Sequence, residues 1–416
     1  MPERLLDCPL RLRNAVQRYD WGSPTAIPEL LGITPDGDPY AELWLGAHSS
    51  GPSQVLASAD GDSDTTGACS VDLADLIRRF PNETLGRRVA NEFGPRLPYL
   101  LKALAANRAL SLQVHPLPHV ARAGFNRENT AGLAPSSPER NFHDDQHKPE
   151  MVIALTQFTG LAGFRPARTS LRLLQNLPGR VVEEARRDLT ADGGANGIRA
   201  AFSQFLNARG NPELLADLDE TLGAITGKVG AGPDGEAYQT VVDLALQHPG
   251  DPGAIASLLL NRFTLPPGGS VYLPAAEIHA YLDGFGIEVM ASSDNVLRAG
   301  LTSKRIDEAA LVHAASFNPR LPVAPTIKTA AYSHSRTTTY RAPVAEFAIT
   351  FADVQGKGVP LPEMGPRTVL CLDGEMALTA PRGITTLRRG ESVFVGHQAG
   401  ALTAAGDGRL VVAWVP

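Results

Sequence analysis

Apolar and polar residues alternate along several short segments of this chain, and a period of two is typical of β-strands with one buried face. In the segment LSLQVHP, the alternation places Ser111, Gln113 and His115 on the polar face of a predicted strand. Segments with this pattern occupy much of residues 1–165, and they resume near residue 263 and continue to the C-terminus. The pattern therefore predicts a fold that is mainly β-sheet.

Two more predicted strands carry charged residues and a histidine on their polar faces. The segment HKPEMVIALT predicts a strand that has Lys148 and Glu150 on one face. The segment EIHAYL predicts another strand, on which Glu277, His279 and Tyr281 share a face. Side chains that can bind a metal ion thus occur on strand faces in three separate parts of the chain.

Helical spacing of apolar residues replaces this alternation between residues 166 and 262. The segments with that spacing are separated by glycine and proline breaks, and they are SLRLLQNL, VVEEARRDL, IRAAFSQFLNA, PELLADLDETLGAI and AYQTVVDLALQH. The pattern predicts a helical insertion over 166–262. It also predicts an acidic loop at 57–70, a short helix in VDLADLIRRF, and a long loop with a short helix between Pro116 and Gln146.

One internal repeat relates two parts of the chain, because LPPGGSVYL at 265–273 matches LRRGESVFV at 387–395. The repeat predicts two β modules of the same design. The first copy continues through Pro274 to His279, and its G-x4-P-x4-H spacing resembles a motif of cupin barrels. The second copy has no histidine at the position equivalent to His279, so we expect a module at 325–416 that binds no metal.

These patterns together predict how the chain is divided into domains. A chain of 416 residues is long enough for roughly two or three domains. We assign residues 1–165 and 263–324 to one β module that is interrupted by the helical insertion over 166–262. Residues 325–416 then form the second β module.

Composition and charge exclude several classes of function. Hydrophobic residues make up 43% and charged residues 20% of the chain, as in soluble globular proteins. A net charge of -6 gives no broad basic surface for nucleic acid or an anionic membrane. The three cysteines contain no CxxC pair, so they support neither a disulfide framework nor a thiolate zinc site. Because no stretch resembles a secretion signal or a membrane span, we expect a cytoplasmic protein with a small-molecule partner.

Four side chains form a candidate metal site. Gln113 and His115 lie two residues apart on one strand face, and Glu150 and His279 lie on two other strand segments. Imidazole nitrogen, carboxylate oxygen and amide oxygen are all suitable ligands for a divalent cation. The alternative is that each of these residues is a polar side chain on a solvated face, without any metal.

Several blocks of the sequence, in this order, resemble type I phosphomannose isomerases, a family of zinc enzymes in the cupin superfamily. The blocks are YDWGS, PYAELWLG, PYLLKAL, LSLQVHP, HKPEM, EIHAY and EVMASSDNVLRAGLTSK. The resemblance covers nearly the entire chain, and it implies two cupin-type jelly-roll modules, the C-terminal one degenerate, plus an α-helical domain. Two departures are Ile278, where the family commonly has proline, and Asp20, where it commonly has a small residue. Neither departure removes a ligand.

The resemblance also implies an activity and roles for individual residues. Gln113, His115, Glu150 and His279 are then the ligands of one Zn²⁺ per subunit, and Arg298 is the catalytic arginine. The implied reaction interconverts mannose 6-phosphate and fructose 6-phosphate through an enediolate. One carboxylate, two neutral imidazoles and one amide leave a Zn²⁺ site with net charge of about +1, which suits a Lewis acid.

An aldose–ketose conversion needs a base near the metal and a cation for the phosphate of the substrate. The candidates for the base or a proton relay are Glu288, Lys148 and Glu277. The candidates for substrate binding are Ser111, Lys102, Trp21 and Lys304. Each has a structural alternative, which is a solvated charge for the lysines and a core position for the tryptophan. For Arg298 the alternative is an ion pair with Asp294 or Glu288.

Two other functions stay open on the sequence alone. An Fe(II) oxygenase of the cupin superfamily typically uses more histidine ligands, and Gln113 argues against it. A sugar-binding cupin without turnover needs no base, and the group of Arg298, Lys304 and Glu288 argues against it. The sequence leaves undecided the base, the native metal, the oligomeric state and the activity on related phosphosugars. It predicts no obligate protein partner.

Overall fold

The structure, a computed structural model, describes residues 6–56, 70–230 and 232–416. The acidic loop predicted at 57–70 therefore lies outside the described residues, except for Ser70, which begins a strand.

Strands occur in two regions that flank a helical one. In order they are β1 (Leu10–Arg13), β2 (Ala15–Gln17), β3 (Glu42–Gly46), β4 (Gln54–Leu56), β5 (Ser70–Asp72), β6 (Tyr99–Ala106), β7 (Leu112–Val114), β8 (Glu150–Ala154), β9 (Phe158–Phe164), β10 (Leu260–Leu265), β11 (Ser270–Leu273), β12 (His279–Ala291), β13 (Leu297–Gly300), β14 (Thr326–Tyr332), β15 (Ser335–Arg341), β16 (Ala348–Pro360), β17 (Arg367–Ala380), β18 (Gly383–Arg388), β19 (Ser392–Val395) and β20 (Thr403–Trp414). The chain is sheet-rich, as the alternating pattern predicts.

Most of the helical residues lie between β9 and β10. The helices are α1 (Ala26–Leu31), α2 (Leu73–Arg79), α3 (Pro81–Leu85), α4 (Arg87–Phe93), α5 (Pro118–Thr130), α6 (Ala167–Leu174), α7 (Arg180–Ala191), α8 (Ala195–Ala208), α9 (Pro212–Thr226), α10 (Gly235–Gln247), α11 (Gly253–Ala256) and α12 (Glu308–Ala314). The helices α6 to α10 form where the apolar spacing predicts them, and the four-residue α11 was not predicted. Across the described ranges, no helix combines the length and the apolar character that a membrane span requires.

The first sheet contains all the candidate ligands and is organised around β12. Strands β2, β3 and β6 to β13 form this ten-stranded sheet. Residues 279–283 of β12 pair with β9, whereas residues 284–291 pair with β6. At this change of partner Gly284 has φ of +125°, and a Cβ there would lie 2.6 Å from the carbonyl oxygen of Gln157. Glycine therefore lets β12 continue as one strand, which pairs with β7 at His279 and with β8 at residues 286–290.

The two faces of this sheet have different compositions. Residues directly opposite each other on antiparallel strands project from the same face, and Lys102 lies opposite both Trp44 and Glu288. Glu150 lies opposite Met290, two residues further along β12, so it shares that face. The alternating residues point the other way, into a core shared with the second sheet that includes Leu101, Ala103, Met151, Ile153, Ile287, Val289, Phe351 and Val411.

The helices cover the outer side of the strands that carry the candidate histidines. Leu112, Val114, Ala280 and Leu297 are buried in one hydrophobic core with apolar residues of α6 to α11. Burial of these residues fixes the register, because a shift of one residue would expose them. The polar residues that alternate with them therefore point to the opposite face of the first sheet, away from the helices.

The segment between Pro116 and Gln146 is more ordered than the sequence pattern predicts. It begins with α5, a helix of 13 residues rather than a short one, which has proline in its first turn. Val120, Gly124 and Glu128 lie on the buried face of α5 at a spacing of four. A Cβ at Gly124 would come within 2.4 Å of Phe142, so the glycine lets the following loop pack closely on the helix.

The second sheet includes strands from both ends of the chain. Its order is β14-β15-β16-β20-β17-β19-β1-β4-β5, with β18 beside β17. Leu10 of β1 lies opposite Phe394 of β19. The strands β1, β4 and β5 thus belong to the C-terminal sheet, whereas the predicted division assigns residues 1–165 to the first module. Alternation along a strand shows which face is buried but not which strand lies beside it. The remaining domain boundaries stay a prediction.

Candidate metal centre

His115, Glu150 and His279 meet inside the first sheet. His115 directly follows β7, while Glu150 and His279 are the first residues of β8 and β12. Their ligand atoms all lie within 4.8 Å of one another. The Nε2 atoms of His115 and His279 are 3.1 Å and 3.4 Å from the two carboxylate oxygens of Glu150. All three side chains are buried.

The outer hydrogen bonds of the two imidazoles determine which nitrogen faces the centre. Nδ1 of His115 donates to the main-chain carbonyl of Asn295 at 2.7 Å. Nδ1 of His279 donates to the carbonyl of Glu277 at 3.0 Å. Each Nε2 then presents a lone pair towards Glu150, and neither Nε2 has a hydrogen-bond partner among the described residues. Three acceptors that face one another require a cation between them.

The ionisation of these groups points to the same need for one positive charge. Burial lowers the pKa of His115 to about 4, so this imidazole is neutral near pH 7. Burial favours the neutral acid at Glu150, but the interaction with His115 and the charge of Lys148 hold its pKa well below its usual range. Burial also opposes protonation of His279, yet Glu150 outweighs it and raises the pKa of that imidazole. The buried Glu150 carboxylate therefore favours a positive charge beside it.

Gln113 occupies a strand position between His279 and Arg298. It lies opposite His279 of β12 on one side and opposite Arg298 of β13 on the other. Directly opposed residues share a face. The side chains of all three residues therefore project from the face of the first sheet that is turned away from the helices. This position fits Gln113 as a further ligand.

Lys148 and Glu277, two candidates for the base or relay, are both near the centre. Nζ of Lys148 is 3.2 Å from the Glu150 carboxylate, and the lysine is buried. The carboxylate of Glu277 has Arg320 Nε at 3.9 Å, and burial raises its pKa to about 7. The contact that Glu277 makes with the centre is the main-chain hydrogen bond from His279.

Glu288 and Lys102 form a buried ionic cluster beside the centre. Nζ of Lys102 lies 3.0 Å from Glu288 and 3.2 Å from Glu42. Trp44 Nε1 donates to Glu42 at 2.6 Å, and the hydroxyl of Tyr281 donates to Glu288 at 2.8 Å. Lys102 is thus paired with two carboxylates and is 6% exposed, unlike the free cation that the sequence analysis expects.

The same cluster shifts the ionisation of both partners. Burial raises the pKa of Glu288 above its ordinary value, although the charge of Lys102 opposes the shift. Burial disfavours the charged form of Lys102, but Glu288 and Glu42 outweigh it and keep the pKa of the lysine above its usual value. Lys102 is therefore a cation near pH 7, and Glu288 is a carboxyl group whose basicity is increased.

Arg298 and Lys304 are two cations without a neutralising partner. Across the parts of the chain that the structure describes, neither has a carboxylate within ion-pair distance. Burial lowers the pKa of the half-buried Arg298, and the charge of Arg298 is the main reason for the lowered pKa of Lys304. Asp294 is instead 3.4 Å from His48, so it is not the partner of Arg298. Two cations that repel each other form a suitable place for an anion.

Ser111 and Trp21, the remaining candidates, lie at the periphery of the centre. Ser111 is half-buried immediately before β7. Trp21 is also half-buried, and it stacks on Tyr19 with the ring centroids 5.7 Å apart. Trp21 packs against the buried cluster that includes Tyr281.

Asn295 and Asp144 support the centre, and the sequence analysis missed both. Nδ2 of Asn295 donates to the carbonyls of Asp144 and Gln146 at 2.8 Å, and its Oδ1 accepts from the amide of His143 at 2.8 Å. The Asp144 carboxylate accepts from Ser293 Oγ at 2.8 Å. Polar residues in the turn SSDN, whose last two residues begin the DNVLR block, were the available signal for this network.

Glu42 was also missed, although its signal was visible in the sequence. The segment AELWLG alternates, and it places Glu42 and Trp44 on the same strand face. All five residues of β3 are buried. A carboxylate in such a strand needs a buried cationic partner, and Lys102 is that partner.

Fold and site together define a class of protein. The chain is a sheet-rich protein in which two buried imidazoles and a carboxylate could hold a metal ion. Among the described residues, Arg298 and Lys304 have no ion-pair partner, and the charge of Arg298 is close enough to lower the pKa of Lys304.

Comparison with known proteins identifies the family. The family model "Phosphomannose isomerase type I, catalytic domain" matches residues 10–167. A mannose-6-phosphate isomerase of Salmonella typhimurium (strain LT2) is 37% identical over 403 residues, which cover 96% of this chain and 98% of that protein. The mannose-6-phosphate isomerase of Bos taurus is 31% identical, with 92% of each protein covered.

Solved structures of the same family share the whole fold. A zinc-bound mannose 6-phosphate isomerase superposes with a TM-score of 0.84 at 35% identity, covering 98% of this chain and 99% of that one. A single-site variant of phosphomannose isomerase from Salmonella typhimurium superposes with a TM-score of 0.85. This chain belongs to the mannose-6-phosphate isomerase family. The resemblance of the sequence blocks is thereby confirmed, as is the prediction of an enzyme that is an intramolecular oxidoreductase.

Proposed function

We propose that the protein is a zinc-dependent isomerase that interconverts mannose 6-phosphate and fructose 6-phosphate. The observation that carries this proposal is the buried convergence of His115, Glu150 and His279, whose facing lone pairs need a cation. Its relatives are named for this reaction, and a similar solved structure has zinc bound. The substrate is then a small phosphosugar.

One Zn²⁺ per subunit fits the residues at the centre. Its ligands are Gln113, His115, Glu150 and His279, an N/O set that suits zinc and contains no thiolate. The ion, when bound, supplies a Lewis acid that stabilises negative charge developing on an oxygen of the substrate. Asn295 and Glu277 hold the imidazoles in the tautomer that leaves each Nε2 free for the metal.

Proton transfer between adjacent carbons is the chemical step that the protein side chains must perform. A base removes the proton from C2 of the open-chain aldose, the electron pair forms the C1=C2 double bond, and the carbonyl electrons move to O1. Transfer of the hydroxyl proton from O2 to O1, together with return of the first proton to C1, then gives the ketose with its carbonyl at C2. Glu288 is our candidate for the base, because burial increases its basicity. Lys148, beside Glu150, is the candidate for moving protons between the substrate oxygens.

Charge on the substrate is matched by Arg298 and Lys304. Arg298 projects from the same face as His279, so its guanidinium is directed towards the interior where the enediolate develops. Lys304, exposed and close enough to feel the charge of Arg298, is suited to the phosphate. Ser111 and Trp21 line the substrate site. Lys102 instead fixes Glu288, since both of its contacts are to buried carboxylates.

The architecture that supports this site consists of two cupin-type modules and a helical domain. Both copies of the sequence repeat form four-residue strands, β11 and β19. Gly268 and Gly390, at equivalent positions before these strands, have φ of +82° and +85°. Equivalent turns into equivalent strands support the internal duplication. The C-terminal copy, without the histidine, is the degenerate module.

The proposal is tested by an assay of mannose 6-phosphate conversion, with the product fructose 6-phosphate detected by a coupled enzyme. The protein is assayed as purified, after chelation with removal of the chelator, and after addition of Zn²⁺. We expect activity to disappear on chelation and to return with Zn²⁺. Full turnover by protein that retains no metal, measured by elemental analysis, would falsify the metal-dependent mechanism. Absence of turnover by the zinc-loaded protein would refute the substrate.

A further inference from the structure

The sequence repeat allows the two β modules to be compared residue by residue. Leu273, the last residue of β11, is equivalent to Val395, the last residue of β19. Leu273 lies opposite Glu150 in the first sheet. Val395 lies opposite Arg367 in the second sheet. Arg367 therefore occupies, in the C-terminal module, the register position that the candidate ligand Glu150 occupies in the first module.

The match extends along both strand pairs. Glu150 and Arg367 are each the first residue of a strand, β8 and β17. The three residues that follow each of them pair in the same antiparallel register with the remaining residues of β11 and β19. The second neighbour also corresponds, because β8 pairs with β12 and β17 pairs with β20. The equivalence thus rests on hydrogen-bonded register as well as on sequence similarity.

Arg367 is buried completely, and its guanidinium binds only main-chain oxygens. Its exposure is 0%, which is exceptional for arginine. Nη1 donates to the carbonyls of Pro362, Glu363 and Gly400 at 3.1, 3.0 and 2.7 Å. Nη2 donates to the carbonyl of Gly396 at 2.8 Å. In the described ranges, no carboxylate lies within ion-pair distance of this guanidinium.

These oxygens come from two loops of the module, the one between β16 and β17 and the one between β19 and β20. Pro362 and Glu363 precede β17, Gly396 follows β19, and Gly400 precedes β20. The first module brings its candidate ligands from the corresponding kinds of position, at strand starts and directly after a strand end. The segment 400–403, which corresponds to the start of β12, contains no histidine. The C-terminal module thus has Arg367 at the equivalent of Glu150 and no histidine at the equivalent of His279, and carbonyl oxygens that need a donor or a cation surround the guanidinium.

We propose that Arg367 is a built-in cation that takes, in the C-terminal module, the place of the metal ion in the first module. The guanidinium donates to carbonyl oxygens of the two loops that lead into β17 and β20, and it holds these loops together without metal. The comparison with a metal ion rests on the proposed zinc centre. The structural role of Arg367 rests only on the contacts of its own guanidinium. It follows that the chain binds one catalytic metal ion and has no second metal site in the C-terminal module.

The charge and the location of Arg367 are both consistent with this structural role. Burial lowers the pKa of Arg367 to about 10, so the guanidinium still carries its charge near pH 7. Tyr99, the first residue of β6, donates its hydroxyl hydrogen to the carbonyl of Ala413 at 2.9 Å and lies 3.2 Å from Thr368 Oγ1. The residue next to Arg367 therefore contacts the strand that carries Lys102. The built-in cation is located where the two modules join.

Graded substitutions test the proposal in the full-length protein. Arg367→Lys keeps a charge but lacks the planar fork, and Arg367→Met fills the space without any donor. We expect Tm to decrease in the order wild type, Arg367→Lys, Arg367→Met, with a loss of roughly 5 °C or more for Arg367→Met. Tm of Arg367→Met equal to that of the wild type would overturn the proposal, as would Arg367→Lys no more stable than Arg367→Met.

Chemical rescue tests the cation itself. Arg367→Ala leaves a space lined by carbonyl oxygens, so guanidinium ion, at concentrations well below those that denature proteins, is expected to raise its Tm. Sodium chloride and urea at equal concentrations are expected not to do so. Leu387→Ala, which removes a fully buried side chain from the same core, is the matched control that guanidinium does not stabilise. Equal responses of the two variants to guanidinium contradict the proposal.

Metal content separates this proposal from the proposed function. Elemental analysis is expected to give one zinc per wild-type chain and none in His279→Ala. A zinc ion that persists in His279→Ala and is lost only on substitutions in the C-terminal module would overturn the built-in cation. Isomerase activity that is independent of metal would instead contradict the proposed function. It would leave the expected order of Tm values for the Arg367 variants unchanged.

Discussion

The main-chain carbonyl of Asn295 accepts a 2.7 Å hydrogen bond from Nδ1 of His115, while the side chain of Asn295 binds the loop that leads to Glu150. One fully buried residue thus connects two candidate ligands, His115 and Glu150, that are 35 positions apart in the sequence. Such outer contacts orient metal ligands, and their loss typically weakens metal binding about 10- to 100-fold.

Substitution of Asn295 by Ala is therefore expected to reduce zinc affinity by about 10- to 100-fold. The measurement is competition with a chromophoric chelator, together with the absorption spectrum of the cobalt-substituted protein, which reports ligand geometry. Asn211→Ala is the matched control, because it removes the cap of α9 far from the centre. A cobalt spectrum and zinc affinity identical in Asn295→Ala and Asn211→Ala would show that Asn295 serves stability alone.

Removal of one imidazole should abolish metal binding and turnover together. We expect His279→Ala to contain no zinc after purification and to have no detectable isomerase activity, because two protein ligands of the buried group remain. His397→Ala removes a histidine of the C-terminal module that accepts from the amide of Gly365. That control should keep normal zinc content. Normal zinc occupancy in His279→Ala would exclude His279 as a ligand.

Arg298 should affect turnover much more than stability. An arginine keeps its charge at working pH, so it stabilises negative charge rather than acting as a base. Arg298→Ala is expected to lower kcat by about 10²- to 10³-fold with unchanged zinc content. Arg298→Lys should recover only part of the activity, because a point charge does not reproduce the planar fork. A near-normal kcat with a lowered Tm in Arg298→Ala would favour a structural role for Arg298. Lys304 would then be the cation that binds the substrate.

The pH profile of the reaction should respond to the charges around Glu288. A general base must be unprotonated, so kcat/KM should fall as pH decreases through the raised pKa of Glu288. Glu42→Gln removes a negative charge that raises this pKa, and should move the acidic limb to lower pH. Lys102→Met removes a positive charge that lowers it, and should move the limb to higher pH. If neither substitution moves the limb, another group is the base.

Lys102→Met should also destabilise the fold, because it leaves Glu42 and Glu288 buried without their cation. Breaking a buried pair in this way typically costs about 3 to 5 kcal/mol. Urea unfolding at constant pH measures the effect. Arg388→Ala, which breaks the exposed pair with Glu375, is the control and should change the free energy of unfolding little. Equal effects of the two substitutions would mean that the buried cluster contributes no more than a surface pair.

Local pattern in the sequence was sufficient for several features of this protein. The period of two placed Gln113 and His115 on one strand face, and the period of 3.6 predicted helices where α6 to α10 form. These predictions succeed because the burial of one face is recorded within a single segment. The ordered sequence blocks were sufficient for the family, and family resemblance rather than periodicity supplied the ligand set.

The tertiary structure alone decided which residues from distant segments meet. Lys102 is a free cation when read along the chain, yet the pairing of β3, β6 and β12 encloses it between two carboxylates. Arg367 is an ordinary strand residue in the sequence, and only the register of β17 against β19 places it at the equivalent of Glu150. The physical reason is that strand pairing, helix covering and buried ion pairs depend on side chains in different segments of the chain. Alternation along one segment contains no information about that partner.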